Sequence, residues 1–243
     1  MHYLDDMRLR AVLFISSVGF LGCRLISPPD VPIESGVTFA AHAEHGKIVL
    51  DRLPEGGRGE VTPPGLIRWG GAPTFVVTRD NQPVADLWLT ATATVDVKPH
   101  ASPGPESSSI VPAWEDNTIR FTLRRPNLPV LHTDVFSRST SGGGPPALSR
   151  TAQTSVDLRG TYRASLRDPG GAEVGWLRVR ISPYQEASRI YDGVLPADLG
   201  TGLAAGMAVA ISSEIDWIEA HTLDVNRGNM TDGPLQQSVP MGR

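Results

Sequence analysis

The sequence predicts a mainly β, antiparallel fold with one amphipathic helix at its C-terminal end, and three observations carry that prediction. Glycine and proline number 25 and 21 in 243 residues, a composition that favours turns and short strands over long helices. Apolar and polar residues alternate through residues 87–97, 119–124, 162–166 and 177–181, the period of a strand with one buried face. After Pro183 the spacing of apolar residues lengthens to three or four, which lines up one face of a helix. With 40% apolar and 20% charged residues, a chain of this length buries a sizeable core. The net charge is -4 and the basic residues are scattered, which argues against a nucleic-acid partner, since a phosphate backbone asks for clustered Lys and Arg.

The first 23 residues have the parts of an export signal. Arg8 and Arg10 follow Met7, Ala11 to Leu21 is almost uninterruptedly apolar, and Gly22 precedes Cys23, the chain's one cysteine; the apolar run is shorter than the roughly 20 residues a spanning helix needs. Phe20-Leu21-Gly22-Cys23 resembles the lipobox of bacterial lipoproteins, and that resemblance implies a lipid on Cys23, a membrane partner through it, and a location in the cell envelope outside the cytoplasm. An ordinary cleaved signal leading to a secreted or periplasmic protein, and a retained membrane helix, are the alternatives. No cysteine follows, so the mature chain has no internal disulfide, thiol nucleophile or thiolate metal site. Residues 24–35, with Pro28, Pro29 and Pro32, read as an extended tether.

Residues 36–73 read as short strands and loops, with apolar runs at Val37 to Ala40 and Ile48 to Leu50. Thr74 to Thr78 is a β-rich run and Asp80-Asn81-Gln82-Pro83 a turn. Residues 87–97 then read as one long strand, with Leu87, Leu89, Ala91, Ala93, Val95 and Val97 on the buried face. Residues 99–117 are expected as a loop, Ile119, Phe121 and Leu123 mark a strand, and Leu128 to Phe136 is expected as an edge strand on account of Pro129. Residues 137–149, with Gly142, Gly143 and Gly144, form a Gly-rich excursion. Tyr162, Ala164 and Leu166 before Asp168-Pro169-Gly170-Gly171, and Leu177, Val179 and Ile181 after it, form a hairpin. Gly160-Thr161-Tyr162-Arg163-Ala164-Ser165-Leu166-Arg167-Asp168 and the returning strand look like the last hairpin of an immunoglobulin-like sandwich, in which a tyrosine caps the corner before the penultimate strand; Asp157 lies five residues before Tyr162. That resemblance implies an Ig-like antiparallel β-sandwich over 74–182.

Residues 183–225 are expected as a C-terminal helical segment, with Leu199, Leu203, Met207, Ile211, Ile215 and Ile218 on its buried face. Gly200, Gly202 and Gly206 each weaken such a helix by about 1 kcal/mol relative to alanine. Residues 226–243 read as a disordered tail.

The most specific string is Ser213-Glu214-Ile215-Asp216-Trp217-Ile218-Glu219-Ala220-His221. Glu214, Asp216 and Glu219 are similar in spacing to the Glu-Ile-Asp-x-x-Glu signature of laminarinase- and agarase-type retaining glycoside hydrolases. By that resemblance Glu214 would be nucleophile, Asp216 its tuner and Glu219 the acid/base, on a strand that holds two carboxyls about 5 Å apart. On a helix the same residues are the charged end of an amphipathic surface, and 214 and 216 diverge by about 200°. The segment also looks like the ketosynthase stretch that delivers a catalytic histidine, but that family's glycine-rich continuation is replaced by Thr222-Leu223-Asp224. His42, Glu44 and His45 have metal-ligand spacing without a third element to complete a site. His132 and Asp134 share a strand face without a paired serine. Trp69, Trp88 and Trp114 are candidate sugar-stacking platforms, and Asn229-Met230-Thr231 spells a glycosylation sequon. No cofactor motif and no complete metal set is present.

These readings favour a non-enzymatic extracytoplasmic protein with a protein or glycan partner, acting in binding or envelope structure. A carbohydrate-active enzyme using Glu214, Asp216 and Glu219, and a carbohydrate-binding module, are the alternatives.

Overall fold

The computed structural model describes residues 36–64, 72–100, 107–139, 146–149, 158–182 and 189–228, with side chains as far as residue 220. Cys23, the tether at 24–35, Trp69, Asp157 and 229–243 of the expected tail lie outside the described residues, as do 101–106 of the expected loop and 140–145 of the Gly-rich excursion; 226–228, expected in the tail, are instead the last residues of the helix. The strands are β1 (Gly36–Glu44), β2 (Lys47–Arg52), β3 (Gly59–Thr62), β4 (Phe75–Arg79), β5 (Gln82–Leu89), β6 (Val95–Pro99), β7 (Ser108–Glu115), β8 (Thr118–Arg124), β9 (Leu131–Thr133), β10 (Ser137–Arg138), β11 (Gly160–Arg167), β12 (Glu173–Ile181) and β13 (Arg189–Pro196). A 3-10 turn at Ala197–Leu199 leads into the helix α1 (Gly200–Gly228).

Neighbours in the chain are neighbours in the sheet from β1 to β9 and again from β11 to β13, all antiparallel. Two long-range pairings join the ends. β13 pairs with β1 from Gly36↔Pro196 to Ala43↔Arg189, and β9 pairs with β11 at Thr133↔Leu166 and His132↔Arg167. The result is a closed barrel of 12 strands, with β10 attached to β11 outside the ring. This overturns the Ig-like sandwich: a sandwich keeps two sheets with edges, whereas every strand of the ring has two neighbours. Alternation cannot separate the two architectures, because both bury every second side chain. The hairpin that carried the resemblance is real, with its turn closed by Gly171 N donating to the Asp168 carbonyl at 3.0 Å, and Tyr162 points into the barrel core, fully buried.

Several elements differ from their expected form for local physical reasons. Residues 87–97 are two strands, since β5 and β6 are joined by a turn at 90–94 in which Thr90 N donates to the Thr94 carbonyl at 2.9 Å and Ala93 takes a positive φ of 58°. Leu89 faces Val95 and Leu87 faces Val97 across that turn, so the period continues through the reversal. The expected loop at 99–117 contains β7, whose Pro112 lies beyond Ile110, the last residue paired with β6, where one side has no ladder to interrupt. Leu131 to Thr133 closes the ring instead of forming an edge. The segment after Pro183 contains β13, whose inward positions are Arg189, Tyr191, Gly193 and Leu195 while Ile190 and Val194 face outward, a pattern that erases the apolar alternation.

The helix is not packed on the outside of the β-structure. Residues 203–211 are buried on every side, and α1 touches β5, β6 and β7 on one wall and β13 and β2 on the other. In the strand order β13 and β6 lie opposite each other around the ring, so a helix in contact with both runs through the lumen. Small side chains at Ala204, Ala205, Ala208 and Ala210 let it fit. Gly202 and Gly206 set the closest approach: a Cβ at 202 would stand 3.0 Å from Ala85 Cβ, and one at 206 would stand 2.8 Å from Ile110 Cδ1. These glycines cost helix propensity, and a side chain at either position would have to displace a neighbour in the wall.

Candidate functional site

With the lumen filled by α1, clefts lie at both openings of the barrel. At the entry mouth the helix begins. The β2–β3 loop, the Asp80-Asn81 turn and the β8–β9 loop surround it. At the exit mouth the second half of the helix emerges, beside the His45-Gly46, 90–94 and Asp116-Asn117 turns. His45-Gly46, Asp80-Asn81 and Asp116-Asn117 all have paired positive φ values, the geometry that suits two-residue hairpins on twisted strands.

The exit mouth is organised by Arg189, the first residue of β13. Its side chain is 10% exposed and holds three acceptors: Asp216 Oδ1 at 2.6 Å, Glu219 Oε2 at 2.8 Å and the Ser212 carbonyl at 3.1 Å. Burial works against the guanidinium charge, but the hydrogen bond to Asp216 and the negative charges of Asp216 and Glu219 outweigh it and hold its pKa above the ordinary arginine value. Tyr191, two residues along on the same inward face, shares a hydrogen bond with the Ser212 hydroxyl, and burial pushes its pKa up to about 12. A cleft of about 330 Å³ lies alongside, with Ile48, Val61, Phe75 and Leu89 as its apolar floor and Lys47 at its rim; Lys47 is paired with Glu60 at 2.7 Å.

The structure thus places all three acidic residues of the 213–221 string on α1. Glu214 is 1% exposed, while Asp216 and Glu219 lie at the surface and converge on one nitrogen, Nη2 of Arg189. Arginine 189 was not a sequence candidate, and an arginine opening a strand offers no local signal of its partners 27 and 30 residues later.

The entry mouth has a larger cleft, about 570 Å³, lined by the first turn of α1 (Gly200, Thr201, Gly202 and Leu203) and by Arg125, Arg79 and His100. The Arg125 side chain is 4% exposed. Its Nη2 donates to the Pro129 carbonyl at 3.0 Å. Its Nη1 stands 2.9 Å from Asp198 Oδ2, an ion-pair distance, yet Nη1 and Nε find no aligned hydrogen-bond acceptor among the described residues. Glu55 reaches the helix start from the β2–β3 loop: its Oε2 accepts from Thr201 Oγ1 at 3.2 Å and also pairs with Arg79. Pro83, Val84, Val97 and Leu128 supply an apolar side, and Leu128 is the exposed large hydrophobic residue of the described surface at 43%.

The remaining candidates are dispersed. His42 bonds Asp51 at 2.7 Å on the outer face of β1, His45 lies beside Glu44, and among the described residues no group of three His, Cys, Asp or Glu could hold a metal. His132 bonds Thr122, and Asp134 is held by Arg167 through both oxygens. Trp88 and Trp114 are half-buried, Trp114 packing against the core. Among the described residues no helix is long and apolar enough to cross a membrane. Comparison of the chain with protein-family profiles, with curated proteins and with solved structures finds no match in any of the three.

Proposed function

We propose that this chain is a non-enzymatic extracytoplasmic binding protein, held to a membrane by lipid on Cys23, whose ligand sits in the entry-mouth cleft. The observation that carries this reading is a closed barrel locked around its own helix, with an open cleft of about 570 Å³ at one end, within the usual volume range for small-molecule sites. The first strand, β1, starts at the same mouth as the cleft. The glycosidase alternative is weighed down by the placement of its residues: Glu214 is buried, and Asp216 and Glu219 are engaged by Arg189, whereas the retaining reaction wants two carboxyls facing each other across a substrate.

Two measurements test the reading. Mass spectrometry of the mature N-terminus should find an acylated Cys23, with Cys23→Ser releasing the protein from membranes; an unmodified chain starting elsewhere removes the anchor. Thermal shift against a panel of small metabolites should find at least one that raises Tm in the parent and not in Val84→Trp, which fills the cleft. A panel without such a compound removes the binding role.

A further inference from the structure

We propose that the entry-mouth cleft binds an amphipathic anion, a carboxylate or phosphate group carried on an apolar body; this rests on the binding reading above and names its ligand class. The anionic group would sit between the Arg125 guanidinium and the first turn of α1, with the apolar body against Pro83, Val84, Val97 and Leu128.

Three observations converge on that chemistry. Arg125 is a nearly buried cation in the cleft wall: its Nε has no acceptor among the described residues and its Nη1 has only the poorly aligned Asp198 Oδ2 at 2.9 Å, an arrangement that a better-placed anion would complete. Opposite it, the first turn of a 29-residue helix lines the same cleft. Its leading N–H groups have no partner within the helix, and they carry the positive end of the macrodipole.

The third observation is that the protein's own carboxylates already occupy both positions. Glu55 lies on the helix start through Thr201, and Asp198 lies against Arg125. Both are surface side chains, 47% and 52% exposed, so each can turn to water when a ligand's anionic group takes its place beside Arg125 or the helix start. They act as replaceable stand-ins for the ligand's anionic group, while the apolar wall distinguishes an amphiphile from a bare ion.

Isothermal titration of the folded protein with octanoate and octyl phosphate tests this, with inorganic phosphate, octanol and octylammonium as comparators. The two amphipathic anions should bind saturably and more tightly than phosphate, octanol or octylammonium. Asp198→Asn and Glu55→Gln, which remove a competing carboxylate, should each tighten binding by about threefold. Arg125→Met should weaken it at least about tenfold, with an unchanged circular-dichroism spectrum, and Arg189→Met at the other mouth should leave it unaltered wherever it remains folded. Co-sedimentation with anionic and zwitterionic phosphatidyl vesicles separates the sources: Arg125-dependent sedimentation assigns the anion to a lipid, and binding of octyl phosphate without sedimentation assigns it to a free molecule. Equal binding of octanol and octanoate, weaker binding by Asp198→Asn, or full affinity in Arg125→Met overturns the anion assignment. Preferred binding of octanol or octylammonium that Val84→Trp abolishes would do so while leaving the binding role standing.

Discussion

The two mouths of the barrel are built from the same strands and the same helix, yet they treat a buried arginine in opposite ways. At the exit mouth Arg189 meets two carboxylates and a carbonyl, and its charge is satisfied from within the chain. At the entry mouth Arg125 is at least as deeply buried, but among the described residues two of its nitrogens lack aligned acceptors, and the carboxylate beside it, Asp198, is half exposed. A satisfied buried charge is a structural fastener, because removing it strands its partners. An incompletely satisfied one is a place where something else can bind.

Both mouths depend on the helix seated between them, so the largest effect comes from unseating it. Ala205 is fully buried and stands about 160° around the helix from Met207. Ala205→Asp would bury an unpaired carboxylate in the lumen and should destabilise by about 4 kcal/mol or more, measured by urea unfolding. A helix with one solvent face would tolerate it, and a near-neutral result would remove the central helix.

Arg189→Met should cost about 3 kcal/mol, since it leaves the Ser212 carbonyl, Asp216 and Glu219 without their donor. Arg125→Met should change stability by less than about 1 kcal/mol, because an apolar side chain replaces a poorly satisfied buried cation. Equal losses at the two positions would erase the contrast between the mouths.

Tyr191 gives the exit mouth a pH signature. Its folded pKa of about 12 lies above the ordinary 10.0, so between these values the unfolded chain has lost a proton that the folded chain keeps. The stabilisation is complete below pH 10 and is lost as pH rises towards 12, by about 2 kcal/mol over that window. Unfolding free energies of Tyr191→Phe and parent, compared from pH 9 to 12, should show the steeper decline only in the parent; parallel curves would mean the phenol is not shielded. The smallest effect is expected in the 90–94 turn, where Ala93→Gly relieves a left-handed alanine and should stabilise by about 0.5 kcal/mol, read as a small rise in Tm.

Local patterns carried much of this in the sequence. Ile119, Phe121 and Leu123 did line the buried face of a strand, Asp168 to Gly171 did reverse the chain, and Leu203, Met207 and Ile211 were legible as helix because three- and four-residue spacing survives in any tertiary setting. The places that misled were those where a tertiary neighbour replaced an apolar residue. β13 carries Arg189 and Gly193 inward, since one meets acids from the helix and the other faces the backbone of β12 at Leu177. The acidic string suggested catalysis when read alone, and only the fold showed Asp216 and Glu219 meeting an arginine of another strand. Arg125 gave no signal, since its depth depends on loops and a helix end that come together only in three dimensions.

What the sequence by itself determined is the class of element at each stretch: antiparallel strands with one buried face, their hairpin turns, and a helix at the end. These follow from interactions within a few residues. Only the tertiary structure decided between a sandwich and a barrel, and between a helix outside and a helix within. That choice rests on the pairings of β1 with β13 and β9 with β11 and on two glycines of α1 lying close against Ala85 and Ile110, contacts between segments far apart in the chain that no local period records.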